Sequence, residues 1–478
     1  MSAPVTTAPE STAPASPGAS PGAQPPGHVP TGLTFRPGRT IDGWDPEDST
    51  QWADGGKDIA ARNLRWSIFA EFLGFVIWQL WSIVVVSLPK TGFTFDTGQI
   101  FWLISIPSLV GATLRFPYTF MVPKFGGRNW TMISAALLLI PSIGLAICVS
   151  NPATPFGVML FVAALAGLGG GNFASSMANI TYFYPQRKKG WALGLNAAGG
   201  NLGASVAQFV VPIAITIGAA ATLNLPLAGW IWVPLILVAV FGAYKRMDNL
   251  SSAKADFSAS IAAVKEPHMW ILALLYIGTF GSFIGFASVF PKLIADTFPS
   301  FSTFAVGSAS ISLAFLGALV GSLARPFGGR LADRFGGAII TTASFVVMGI
   351  GALIVIATLP LGNFWLFLAS FLVLFAASGV GNGSTYRMIP TVFAMGAGTI
   401  DAHNNAGDIS TQRKTAAALG LISAVGAYGG FIIPQLLSLS KTSFGTYTNG
   451  LGWFVMAYAL MIAVTAVFYL GKRKGTRI

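Results

Sequence analysis

The chain has 478 residues, of which 53% are hydrophobic, 13% aromatic and only 9% charged. An ordinary soluble domain carries about 25% charged residues, so a soluble globule is excluded. A single cysteine, Cys148, excludes a disulfide scaffold, and abundant apolar residues exclude a disordered or collagen-like chain. A net charge of +12 would point to nucleic acid on a soluble protein, so its distribution along the chain matters.

Residues 1–40 are rich in Pro, Ala, Ser, Thr and Gly and lack the apolar core of a signal peptide, so they are expected to form a disordered cytoplasmic tail. Residues 41–65, with Trp44, Trp52 and several acids, are expected as a cytoplasmic interfacial segment. Twelve apolar runs follow, near 66–88, 99–122, 130–149, 156–183, 191–220, 228–244, 269–291, 302–326, 338–360, 364–388, 415–439 and 450–471. Each is about 20 residues long, the length that crosses about 30 Å of hydrocarbon as a helix. The longest polar interruption, 245–268, divides an N-terminal six-helix bundle (66–244) from a C-terminal one (269–471), leaving 472–478 as a cytoplasmic tail.

When the loops are assigned alternately to the two sides, 22 Lys and Arg fall on the side of the termini. Lys90, Lys292 and Lys441 fall on the other. The positive-inside rule then places both termini in the cytoplasm. The basic balance is explained by topology, without nucleic acid.

The halves repeat. Leu-Val-Gly at 109–111, Arg115 and Phe-Gly-Gly at 125–127 recur 210 residues later as 319–321, Arg325 and 335–337. The same shift carries Gly169, Gly171 and Asn172 onto Gly379, Gly381 and Asn382. Ala-Leu-Gly-Leu at 192–195 recurs at 418–421, with Gly200 and Gly203 matching Gly426 and Gly429. A 6+6 duplication is the sequence sign of a transporter with its site between related halves. The fold class is therefore an all-α membrane protein of two pseudo-symmetric six-helix bundles. The loop Gly329-Arg330-Leu331-Ala332-Asp333-Arg334-Phe335-Gly336-Gly337 resembles the loop motif of the major facilitator superfamily, whose fold it implies.

Only Arg115, Arg325 and Arg387 among cations, and Glu71 among acids, fall inside apolar segments. Snorkelling to the headgroups is the bland explanation for an intramembrane arginine. It fits two arginines at one depth in duplicated helices less well than a central pair does. Two permanent charges facing one cavity require an anionic visitor, and the planar guanidinium fork suits a planar oxyanion. Close-packing Gly, Ala and Ser around Asn172, Asn179, Asn196, Asn201 and Asn382 leave room only for a small one. Each Asn serves equally well as interhelical glue, and Phe173, Tyr276 and Phe280 as packing. No metal-ligand spacing, Walker motif or catalytic nucleophile pair is present, so no metal, cofactor or enzymatic reaction is expected.

The segments GNFASSMANITYFYP (171–185) and GLNAAGGN (194–201) resemble the nitrate signature of the NarK-type nitrate/nitrite porters. GVGNGSTYRMIP (379–390) resembles their second signature, and LLYIGTFGSFIGF (274–286) is also familial. The resemblance covers about 41–471. It implies that Arg115 and Arg325 grip nitrate or nitrite, that Phe173 and Phe280 sandwich the anion, and that Asn201 and Tyr276 hydrogen-bond it. Gly169, Gly171, Gly200, Gly379, Gly381 and Gly383 would be the glycines of its sliding surfaces. It also implies a multi-pass protein of a bacterial cytoplasmic membrane. Nitrate/nitrite exchange is the expected mode. Glu71 and Arg387 depart from the plain exchanger pattern and are candidate coupling residues. They keep open a proton-coupled importer, or Glu71 as a structural or interfacial acid, beside a carrier for another small monovalent anion.

Overall fold

The computed structural model describes residues 32–217, 223–253, 257–396 and 409–470. Hydrocarbon offers backbone groups no partners, so each crossing segment satisfies them internally as a helix. The first half contains α1 (Lys57–Val84), α2 (Thr97–Thr119), α3 (Gly127–Cys148), α4 (Phe156–Phe183), α5 (Gln186–Thr216) and α6 (Leu227–Arg246). The second contains α7 (Pro267–Thr297), α8 (Phe315–Phe335), α9 (Gly337–Leu361), α10 (Phe364–Phe393), α11 (Ala417–Phe444) and α12 (Thr448–Leu470). Eleven are long and apolar enough to cross a membrane, α1 as part of the longer span Ser49–Val84. The exception is α8, where Arg325, Arg330 and several glycines dilute the apolar residues.

Small residues let the helices approach closely in both halves. In the first, α2 meets α4 at Gly111 and Gly167, where an added Cβ would lie 2.7 Å from the Gly111 nitrogen. In the second, α8 meets α10 at Gly321 and Gly379, where it would lie 2.2 Å from the Gly321 carbonyl oxygen. The pairing of α2 with α4 thus recurs as the pairing of α8 with α10, with Gly111 matching Gly321 and the partner glycines, Gly167 and Gly379, 212 residues apart.

Several boundaries differ from the sequence expectation. The eighth helix, expected over 302–326, starts at Phe315 and runs on to Phe335. The residues before it form a hairpin of β-strands Phe304–Val306 and Ala309–Ile311, turning at Gly307 with φ +61°. The expected tail 1–40 ends too late. Thr34–Arg36 and Thr40–Asp42 pair antiparallel, and the second also pairs in parallel with Asn249–Leu250. Residues 1–31 and 471–478 lie outside the described residues. The expected divisions at 65 and 245 likewise shift, because α1 already begins at Lys57 and α6 runs to Arg246, while the linker holds a strand and a helix, Phe257–Val264.

Asp248 explains that order. Its side chain is fully buried and receives Arg39 at 2.7 Å, Arg62 at 2.8 Å and the Asn63 amide at 2.8 Å. Arg128 donates to the carbonyls of Tyr244 and Gly38, and Trp44 to that of Tyr182. A composition that cannot build a core alone is ordered here by charge-assisted bonds involving the ends of α1, α3 and α6, and by the neutral indole bond to α4.

Candidate substrate site

Arg115 sits four residues before the end of α2, fully buried. Its Nε donates to the Gly170 carbonyl at 3.1 Å and one Nη to the Ser423 carbonyl at 2.8 Å. Gly170 belongs to α4 and Ser423 to α11, so this guanidinium spans both halves. Its other nitrogen, Nη2, is buried without a hydrogen-bond partner. Arg325 in α8 is 6% exposed, and its Nη1 is likewise buried and unpartnered. Neither arginine has turned out to the headgroups.

The two guanidiniums share one aromatic wall. The Phe173 ring centroid lies 4.5 Å from the Arg115 guanidinium carbon and 5.9 Å from that of Arg325. Phe280 lies 5.1 Å from Arg115, and Tyr386 lies 5.6 Å from Arg325. These aromatic faces partly offset the cost of burying cations, by about 0.5–2 kcal/mol each. The rings of Phe173 and Phe280 are nearly parallel, with centroids 6.3 Å apart and planes 26° apart.

Local backbone sets this wall. In α7 the segment Ile277–Gly281 is a π-turn, a wider turn common at functional sites. It leaves the Tyr276 and Phe280 rings stacked at 5.3 Å and 17°. The Tyr276 hydroxyl is buried and closes no hydrogen bond of ordinary geometry; Arg325 is the side chain placed to donate to it, and both arginines lie within electrostatic reach. Asn201 in α5 is also buried, and both its amide atoms lack partners.

Glycine governs the surroundings. An added Cβ would lie 2.1 Å from the Gly74 carbonyl oxygen at Gly169, 2.9 Å from Leu114 at Gly171 and 2.5 Å from Glu71 Oε1 at Gly200. It would lie 2.2 Å from the Gly321 carbonyl oxygen at Gly379, 2.8 Å from Thr279 at Gly381 and 2.1 Å from the Arg325 carbonyl oxygen at Gly383.

Glu71 is fully buried between α1, α4 and α5. Its Oε2 accepts from the Ser176 hydroxyl and from the Asn196 amide at 2.7 Å, and Ser176 is 3.0 Å from Ser67. Its Oε1 has no partner. Arg387 is not brought to this cluster. It is exposed and ion-paired with Asp333 of the loop motif.

Some participants carried no sequence signal of their own. Trp78 lies 5.6 Å from Arg115 and looks like any core tryptophan in the sequence. The carbonyls of Gly170 and Ser423 are backbone and leave no trace in residue type. Tyr386 stands inside the second signature, and its place beside Arg387 was the only signal available.

Side-chain hydrogen bonds tie the halves together at the level of Arg115 and beyond it, on the side away from the termini. Thr113 is 2.9 Å from Tyr428, and Gln435 donates to Ser105 at 2.7 Å, both between α2 and α11. Gln208 of α5 donates to the Ala287 carbonyl of α7 at 2.7 Å, and Ser205 to the Phe315 carbonyl of α8 at 3.1 Å. The structure is clamped shut on that side.

Residues 70–434 match the Major Facilitator Superfamily model. The chain is 41% identical over 456 residues to the nitrate/nitrite transporter NarU of Escherichia coli, covering 90% of this chain and 96% of the relative. It is 35% identical over 455 residues to the probable nitrate/nitrite antiporter NarK2 of Thermus thermophilus, covering 91% and 97%. In shape it resembles an inward-facing crystal structure of a bacterial homologue of the human lysosomal transporter Spinster. The TM-score is 0.60 at 17% identity, over 86% of this chain and 96% of that one, a likeness of fold alone. The chain is a multi-pass membrane protein of the major facilitator superfamily and belongs to its NarK-type nitrate/nitrite porters.

Proposed function

We propose that this protein carries nitrate and nitrite across a bacterial cytoplasmic membrane by alternating access, with both termini in the cytoplasm, and exchanges one anion for the other. One observation carries the reading. The buried polar groups left without partners include Arg115 Nη2, Arg325 Nη1, the Tyr276 hydroxyl and the Asn201 amide. Burying such groups unpaired costs about 1–3 kcal/mol each, more when charged. A planar oxyanion offers acceptors to every one of these donors.

The ring pair supports the same substrate class. A flat anion between two rings needs roughly 7 Å at van der Waals contact, against the 6.3 Å that separates Phe173 and Phe280. A small ring displacement admits nitrate or nitrite, whereas a tetrahedral anion requires a larger opening. Exchange follows from charge. Two arginines without an anion resist passage through a sealed intermediate, so each reorientation is favoured only when the site is loaded.

The test uses purified protein in liposomes loaded with nitrite. External nitrate uptake is expected to rise at least tenfold over liposomes loaded with gluconate, and formate or chloride inside is expected not to substitute for nitrite. Equal uptake without internal anion would refute exchange. Asn201→Ala is expected to raise the KM for nitrate about fivefold, the loss of about 1 kcal/mol from one neutral hydrogen bond. Correctly inserted N201A protein with an unchanged KM would return Asn201 to a packing role.

A second reading, proton-coupled import, is favoured by the Glu71 cluster. Both Glu71 Oε1 and Asn196 Oδ1 are acceptors without donors, so the cluster is short of hydrogen, and a proton on Glu71 supplies one. The charged and titratable groups whose fields reach Glu71 are Arg325, Arg115 and Tyr386.

A further inference from the structure

On the flank of the first half, away from the anion site, α1 and α6 splay apart at the end nearer the termini. The cleft between them has a volume of about 590 Å³ and runs into a second groove of about 450 Å³. Trp66, Val238 and Arg246 line both, so the two are one continuous channel.

Its chemistry is divided. One end carries Arg65 from α1 and Lys245 and Arg246 from α6, all exposed. None of these three forms an ion pair among the described residues. Arg62, beside them, is committed to Asp248 and to the Arg246 carbonyl at 2.8 Å, which fixes the rim. The other end is apolar. Val238 is 50% exposed and Phe241 62% exposed. The Trp66 ring forms the floor because Gly242 leaves room for it. A Cβ at Gly242 would lie 1.9 Å from that ring.

We infer that this cleft is a binding site for an anionic phospholipid of the leaflet facing the termini. Unpaired cations converging from two helices match a phosphate headgroup, and the adjoining apolar groove matches an acyl chain. Charge complementarity selects the lipid class: a zwitterionic headgroup leaves the three cations uncompensated, and a free phosphate ion leaves the apolar groove unused. The inference is independent of the nitrate reading, since no residue of the anion site lines the cleft.

Native mass spectrometry of the full chain in detergent tests it, with phosphatidylglycerol, phosphatidylcholine or inorganic phosphate added. Phosphatidylglycerol is expected to remain bound at least tenfold more tightly than phosphatidylcholine. Arg65→Gln with Arg246→Gln is expected to weaken it about tenfold, with thermal stability in phosphatidylcholine unchanged. Val238→Trp, which fills the groove without altering charge, is expected to weaken phosphatidylglycerol similarly. Equal retention of the two lipids overturns the proposal, as does phosphatidylglycerol binding untouched by both variants. Inorganic phosphate competing at the affinity of the lipid would show a free-anion site instead. A lipid-free dimer crosslinked through Leu237 would show a second copy of the chain in the cleft.

Discussion

Replacing Arg115 by lysine is expected to reduce nitrate transport about a hundredfold while the protein still inserts and folds. The guanidinium uses three different directions at once. Nε holds the Gly170 carbonyl, one Nη holds the Ser423 carbonyl, and Nη2 is left unpartnered, the donor assigned to the anion in the proposed function. Lysine keeps the charge but presents a single nitrogen on a flexible stem, so it cannot hold both carbonyls and still offer a donor in a fixed direction. A charge-assisted hydrogen bond contributes about 1.5–3 kcal/mol, and loss at the upper end gives the hundredfold effect. The Ser423 bond adds a conformational consequence. It joins the halves in the arrangement closed away from the termini. In the alternating-access cycle proposed above, separation of α2 from α11 would release that nitrogen as a second donor for the anion. Counterflow in liposomes, normalised to inserted protein, measures the effect. Near-normal uptake by R115K would show that charge alone suffices and would remove the directional argument.

The architecture was legible because lipid imposes severe rules. Length, apolarity and cation sidedness give helices with few alternatives, and the 210-residue shift exposes the duplication in the sequence itself. The eighth helix was misplaced for a reason that belongs to its function. The residues that make it part of the site, Arg325 and the glycines that admit α10, are the ones that weaken its hydropathy. A hydropathy reading was therefore drawn toward the apolar hairpin before it. The strap at 34–42 was missed differently. Its order depends on Asp248, more than 200 residues away, and no local composition records such a partner.

The site was legible in part. Arg115 and Arg325 stood out because an intramembrane charge has few explanations. The aromatic and asparagine residues did not stand out from packing on their own, and only the resemblance to a porter family lifted them. In the structure Phe173 and Phe280 present near-parallel faces beside the Arg115 guanidinium, and the Asn201 amide is buried without a partner, which is the geometry the proposed roles require. Backbone carbonyls, which anchor Arg115, have no identity in a sequence. Arg387 shows the opposite error. Its position in an apolar run suggested the pathway, but the side chain is exposed and paired with Asp333.

Glu71→Gln is the second change with a large expected effect, and its outcome separates the two coupling modes. When Glu71 is ionised it lowers the net charge of the two-arginine cavity from +2 to +1, so a single nitrate brings the total to zero; when it carries a proton the cavity stays at +2. Glutamine removes that compensation without changing shape. It fits the cluster, since its amide donates to acceptors such as Asn196 Oδ1, which has no donor. With the cavity at +2, nitrate is held more tightly, and release becomes slower by about tenfold for about 1.4 kcal/mol of added attraction. Under exchange, E71Q therefore shows a lowered KM and a lowered maximal counterflow rate at a pH that ionises Glu71 and matches the unmodified protein at a pH that protonates it, and a pH gradient drives no net uptake in either protein. Under proton-coupled import, an inward proton gradient drives nitrate accumulation by the unmodified protein, and E71Q abolishes it while retaining counterflow. The expected result is the first. Proteoliposomes with internal nitrite, with an imposed pH gradient, or with neither decide between them, because only a carboxyl that gains and loses its proton during the cycle makes the pH-driven arm depend on residue 71.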